Sequence, residues 1–230
     1  MPAEGHPPLD HTRRSALGRV RMRGVRVMTP TVVALPADGW RAVAAGMARA
    51  FQDEPMFAAG FPDSHRRLEK TEAFMRWLYR ESLLGGAVVE STPSLSAVAV
   101  WEPPGYKDSL LTHVQAARQA LDFIRLTDRG DIRRFLGLVT RLQRRRRELL
   151  PEPHWYLGML GVDPDRQRFG LGALLARHGV ARADATGTPA HLDTDTPAKA
   201  RFYGKLGFDV IEQATDKGLH IPVWHMIHRP

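Results

Sequence analysis

Apolar and polar positions alternate along this chain with two periods, and the switches between them predict its elements. Thr31 to Leu35 (TVVAL) has the β-branched character of a strand, and Trp40 to Phe51 has helical spacing that stops before Asp53, Glu54 and Pro55. Ser64 to Leu84 predicts a long amphipathic helix with Phe74, Trp77, Leu78 and Leu84 on its apolar side. Ala87 to Glu90 and Ser96 to Trp101 predict an antiparallel pair turning around Thr92 to Ser94, closed by Pro103, Pro104 and Gly105. From Asp108 to Leu150 the pattern is helical again, in two segments parted near Asp128 to Asp131. Then come a strand (His154 to Leu160), a helix (Ala173 to Arg182), a strand (Pro189 to Thr194), a short helix (Ala198 to Leu206) and strands at Phe208 to Ile211 and Val223 to Ile227. This order predicts an α/β fold with a mixed, twisted sheet and a helical insertion between the third and fourth strands.

With 230 residues, 43% of them apolar, the chain can bury one sizeable core, so residues 29–230 are expected to form a single domain. Residues 1–28, rich in Pro, Gly, His and Arg, read as a basic arm without fixed structure. There is no cysteine, which removes disulfides and thiolate chemistry and fits a reducing cytoplasm. No apolar run approaches the roughly twenty residues that span a bilayer. The ten histidines are scattered and form no H-E-x-x-H arrangement, so no metal centre is expected. The net charge of +8 and the run Arg144 to Arg147 raise the question of nucleic acid. Successive helical residues point about 100° apart, so four arginines make no single stripe, and a solvated helix face is favoured over phosphate contact or nucleic-acid binding.

Val162 to Gly172 (VDPDRQRFGLG) lies between a predicted strand and a predicted helix. Glycines there serve either backbone conformation alone or the close approach of a phosphate to free N–H groups at a helix start. The loop lacks the G-x-G-x-x-G of a dinucleotide fold and the G-K-[ST] of a Walker loop. Its Val162, Pro164, Gln167, Gly170 and Gly172 fit V-x-P-x-x-Q-x-x-G-x-G, which resembles the acetyl-CoA motif of the GCN5-related N-acetyltransferases (GNAT). Downstream, Arg201 to Phe208 (RFYGKLGF) resembles the F-Y-x-x-x-G-F signature of that superfamily, and the two together with HLDT are similar to its puromycin-N-acetyltransferase-like branch.

The resemblance implies acetyl-CoA as cosubstrate and a primary amine of a small molecule, an antibiotic or other metabolite, as acceptor. It implies that Leu160, Gly161 and Val162 bond the pantetheine arm through their backbone, and that Gln167, Arg168, Phe169, Gly170, Leu171, Gly172 and Ala173 surround the pyrophosphate. Arg168 stands where relatives often have glycine, and Arg166 or Arg168 is placed to meet a CoA phosphate. Lys199 replaces an Asn that often holds the cofactor arm, and Asp193 replaces the glutamate of an L-E-T strand. Tyr203 is the implied acid for the departing thiolate, with a core aromatic as its alternative. The base remains open among His154, Glu102, Asp193, Asp195 and a water relay; His154 and Tyr156 share a strand face if no bulge intervenes. Another acyl-CoA, a protein amine and a CoA-binding module without turnover are the competing readings, for a monomer or homodimer.

Overall fold

The computed structural model describes residues 31–106 and 117–230; the basic arm expected over 1–28 lies outside them. One seven-stranded sheet runs in the order β1-β2-β3-β4-β5-β7-β6. Its strands are β1 (Val33–Ala34), β2 (Val88–Ser91), β3 (Ala97–Glu102), β4 (Trp155–Val162), β5 (Ala190–Thr194), β6 (Asp209–Thr215) and β7 (Pro222–His228). Every neighbouring pair is antiparallel except β4 and β5. The helices are α1 (Trp40–Phe51), α2 (Pro55–Gly60), α3 (Ser64–Gly85), α4 (Ala117–Leu126), α5 (Arg129–Leu149), α6 (Leu171–Thr186) and α7 (Pro197–Gly204).

Side-chain alternation divides the sheet into two faces. On one, Val98 and Val100 of β3 join Val43 and Met47 of α1, Phe74 and Trp77 of α3, and Phe57 and Phe135 in a core dense with aromatic rings. On the other, Ala97, Ala99 and Trp101 of β3 join Leu175 and Ala176 of α6, Leu192 of β5 and Tyr203 of α7. The helix α5 covers the far half of the first face, where Leu138 meets Ile221 and Val223.

Caps explain several boundaries. The Asp63 carboxylate accepts from the His65 N–H at 3.1 Å to start α3, which stops at Gly86 with φ 83°. The Asp128 carboxylate accepts from the Asp131 N–H at 2.7 Å to start α5, and Thr196 caps α7 through the Lys199 N–H at 3.3 Å. One local expectation changes: the first strand pairs over only Val33–Ala34, because Pro36 ends the ladder. The helix α1 ends at Phe51 as expected, and Pro55 then occupies the first turn of the short helix α2, where its missing N–H costs nothing.

Candidate active site

The site begins with a break in β4. Val100 pairs with Met159 but Trp101 pairs with Leu157, leaving Gly158 as an extra residue. Before this bulge Trp155 and Leu157 face the α6 core; after it Leu160 and Val162 do. The parallel pairing of β4 with β5 ends at Leu157 and Leu192. Beyond that point the two strands part, and backbone groups of β4 that a neighbouring strand would have bonded face a cleft.

This cleft has a volume of about 590 Å³ and is lined by Leu160, Val162, Gln167, Gly172, Lys199 and Tyr203, with Arg168, Gly170, Leu171 and Ala173 at one end. Gly170, at φ 77°, turns the chain into α6, and the first intrahelical bond runs from Leu174 N to Gly170 O at 3.0 Å. The N–H groups of Leu171, Gly172 and Ala173 therefore have no partner in the helix and sit at its positive end. Gln167 steadies the loop by donating to the Val162 carbonyl at 3.3 Å. This donor set fits a pyrophosphate. Arg168 holds φ 70°, the left-handed region that favours glycine, and Phe169 points outward at 71% exposure. Gly161 faces α1: a Cβ there would meet the Met47 sulfur and come within 2.6 Å of the Phe51 ring.

A second cavity, of about 190 Å³, adjoins the cleft and shares Met56, Phe57, Gly158, Met159 and Asp193 with it. Its walls are apolar, from Phe74, Trp77, Phe135, Leu138 and Leu142 among others. Glu81, Glu102, Asp193 and Arg146 supply its charges. Arg146 lies 3.3 Å from Glu102 and 3.7 Å above the Tyr156 ring, so the arginine run is not one solvated face. Its neighbours Arg144 and Arg145 pair with Glu148, and Arg145 also with Glu212. Arg146 continues the stripe Phe135, Leu138, Val139, Leu142, a helical period through which its inward direction was available from sequence.

The structure places the remaining candidates unequally. Tyr203 lines the cleft, and burial, then Asp195 and Glu54, raise its hydroxyl well above the ordinary tyrosine range, so it stays protonated. Glu102 and Asp193 both line the second cavity, and Asp193 lies at its junction with the cleft. His154 lines neither space; its Nδ1 is 2.7 Å from the Glu152 carbonyl oxygen, and burial lowers its pKa. The Lys199 ammonium is shared by Glu54 at 2.6 Å and Asp195 at 2.7 Å, a bridge from α7 to the α1–α2 loop. Asp195 also accepts from the Met56 N–H at 3.1 Å, which makes it a brace of the cleft wall.

Sequence reasoning missed a buried polar group on β5 and β7. His191, Asp193 and His225 bring one ligand atom each within 4.8 Å of one another. Burial pushes the His191 imidazole down to about 4. Burial raises the Asp193 carboxyl, but His191, His225 and the Tyr156 hydroxyl together hold it below the usual range.

Comparison with known proteins agrees with this geometry. The model of the acetyltransferase (GNAT) family matches residues 45–208. A solved structure from Corynebacterium glutamicum, described as histone acetyltransferase HPA2 and related acetyltransferase, superposes with a TM-score of 0.64 at 20% identity over 88% of this chain and 97% of its own. Arylalkylamine N-acetyltransferase 2 from Aedes aegypti gives 0.59 at 16% identity over 87% and 99%. A polyamine N-acetyltransferase from Drosophila melanogaster gives 0.54 at 17% identity over 88% and 100%. These likenesses show the shared fold. With a splayed β4–β5 cleft, the motif loop at its mouth and the family model spanning most of the chain, this protein belongs to the acetyltransferase (GNAT) family and is an N-acetyltransferase.

Proposed function

We propose that this protein transfers the acetyl group of acetyl-CoA to the primary amine of a small molecule with an apolar body. The observation that carries the reading is the junction of two spaces: a cleft with free backbone donors opens directly into an aromatic cavity bearing carboxylates. Leu171, Gly172 and Ala173 would hold the pyrophosphate, with Arg168 beside it, and Leu160 and Val162 would flank the pantetheine arm. Acetyl-CoA supplies the thioester. The acceptor nitrogen forms the new C–N bond, the C–S bond breaks, and Tyr203 donates its proton to the departing sulfur. Asp193 and Glu102, which line the aromatic cavity, are the carboxylates that support release of the amine proton there.

The cavity is smaller than a drug-sized ligand site, so it takes a small amine or only the amine-bearing end of a larger metabolite or antibiotic. Likeness to the puromycin-acetyltransferase branch supports the latter. Its aromatic walls favour the acceptor class for which the Aedes aegypti structure is named over a polyamine. The test is Tyr203→Phe with acetyl-CoA binding measured beside turnover. The account expects unchanged affinity and a fall in kcat of about 10²-fold or more, in the range of a lost general acid. Unchanged kcat would remove Tyr203 from the chemistry.

A further inference from the structure

Beneath α5 the sheet carries a row of polar side chains that its register assembles. Asp193 on β5 is the cross-strand partner of His225 on β7, and His225 is in turn the partner of Glu212 on β6. His225 Nδ1 lies 2.5 Å from Asp193 Oδ1, and its Nε2 lies 3.8 Å from Glu212 Oε2. Arg145 of α5 clamps Glu212 with its Nε at 2.7 Å. At the other end the Tyr156 hydroxyl donates to Asp193 Oδ2 at 3.0 Å. The His225 and Asp193 side chains are each 3% exposed, whereas Glu212 is 25% exposed and reaches the surface.

We infer that Asp193 is the base that accepts the amine proton, and that His225, oriented by Glu212 and Arg145, is the residue that positions it. The inference rests on the acetyltransferase reading above. His225 Nδ1 and Asp193 Oδ1 stand 2.5 Å apart outside hydrogen-bond geometry, and neither has another hydrogen-bond partner among the described residues. The proposed role closes the pair with a proton on Nδ1 facing an ionised Asp193. That contact occupies Oδ1 and leaves Oδ2 turned toward Tyr156 at the junction of cleft and cavity. When the amine attacks the thioester carbon, one N–H proton passes to the Tyr156 oxygen while the Tyr156 proton moves to Oδ2. Asp193 returns the proton to solvent through the cleft when the amide leaves.

One ligand atom each of His191, Asp193 and His225 lie within 4.8 Å of one another, so a bound metal ion is the competing reading that the Zn²⁺ measurement below decides. The His191 and His225 rings lie 25° apart with centroids at 5.9 Å. Neither nitrogen of His191 has a hydrogen-bond partner among the described residues. It is packed between the Tyr156 and His225 rings and serves as a neutral spacer.

The charged and titratable groups around Asp193 are His191 on its own strand, His225 on β7, Tyr156 on β4, Glu102 on β3, Arg146 on α5 and His154 before β4. Removing His225 takes away a donor to the carboxylate, so the acid limb of kcat must move to higher pH. The experiment compares His225→Leu, His225→Asn and the wild type for kcat, both KM values and the pH profile, with thermal melts with and without Zn²⁺. Asparagine at 225 keeps an N–H where Nδ1 stands. The expected result is a loss in kcat of about tenfold or more in His225→Leu, as for a misplaced catalytic group, with KM for acetyl-CoA unchanged. The acid limb shifts upward in that variant, and His225→Asn recovers most of the rate. An unmoved limb and unchanged kcat in folded His225→Leu would overturn the inference, as would a Zn²⁺-dependent rise in Tm that His225→Leu abolishes. An independent readout is the imidazole N–H of His225 in the resting protein, expected far downfield by NMR and lost in Asp193→Asn; its absence would also overturn the inference. A wild type that binds acetyl-CoA and acetylates no amine would instead overturn the reading on which the row acts.

Discussion

The roof of the acceptor cavity depends on one buried ion pair, and breaking it should loosen amine binding before cofactor binding. Lys70 of α3, 3% exposed, reaches Asp131 of α5, 1% exposed, and the carboxylate also takes Arg134. Lys70→Met keeps the length and apolar stem of the side chain but removes its charge. Breaking a buried pair from one side costs about 3–5 kcal/mol, because the other charge stays buried. Arg134 remains beside Asp131, which puts the expected loss near the lower end, about 3 kcal/mol. For a chain of this size that is a fall in Tm of about 6–12 °C. Urea unfolding followed by tryptophan fluorescence measures the loss directly, and adding Asp131→Asn should recover part of it, since the stranded charge is then gone. Because α5 brings Leu138, Leu142 and Arg146 to the cavity, KM for the amine should rise while KM for acetyl-CoA holds. A Lys70→Met protein within about 1 kcal/mol of wild type would refute the reasoning, since that is the worth of an exposed pair.

Arg168→Gly should leave stability unchanged or raise it by at most about 1 kcal/mol, the left-handed cost of a side chain less the entropy cost of glycine. The same variant should bind acetyl-CoA more weakly and with less salt dependence, which calorimetry at two ionic strengths would show. His191 makes the fold acid-sensitive. Its folded pKa of about 4 lies below the unfolded value near 6.5, so the unfolded chain binds a proton first and stability drains as pH falls from 6.5 toward 4. The loss reaches about 3 kcal/mol at 1.36 kcal/mol per pH unit. His191→Phe should flatten that part of the curve, and an unchanged slope in urea midpoints between pH 6.5 and 4 would contradict the assignment.

The order of elements from Trp40 onward was legible in the sequence because periodicity reports which face of each element is buried, and the core lies on both faces of this sheet. The loop Val162 to Gly172, proposed to hold the cofactor, was legible because it is continuous in sequence. The bulge at Gly158 was not: one inserted residue moves every later side chain of β4 to the opposite face, and no propensity marks it. The row from Tyr156 through Asp193 and His225 to Glu212 was hidden for a different reason. It joins residues up to 69 positions apart through cross-strand register, which single-sequence patterns do not encode. Arg146 was obscured by its three neighbours, whose like charge drew attention to the run instead of to its helical phase.

The most direct measurement is release of CoA thiol from acetyl-CoA, with mass analysis of the acceptor, across primary amines of graded character. Aromatic and aliphatic monoamines, polyamines, amino acids and a lysine peptide would compete at equal concentration. The account predicts acetylated product with the highest kcat/KM for a monoamine with an apolar body, and weak turnover for acceptors carrying a carboxylate beside the amine, which Glu102 and Asp193 repel. Tight binding of acetyl-CoA with no acetylated amine in any class, or highest turnover on the carboxylate-bearing acceptors, would contradict it.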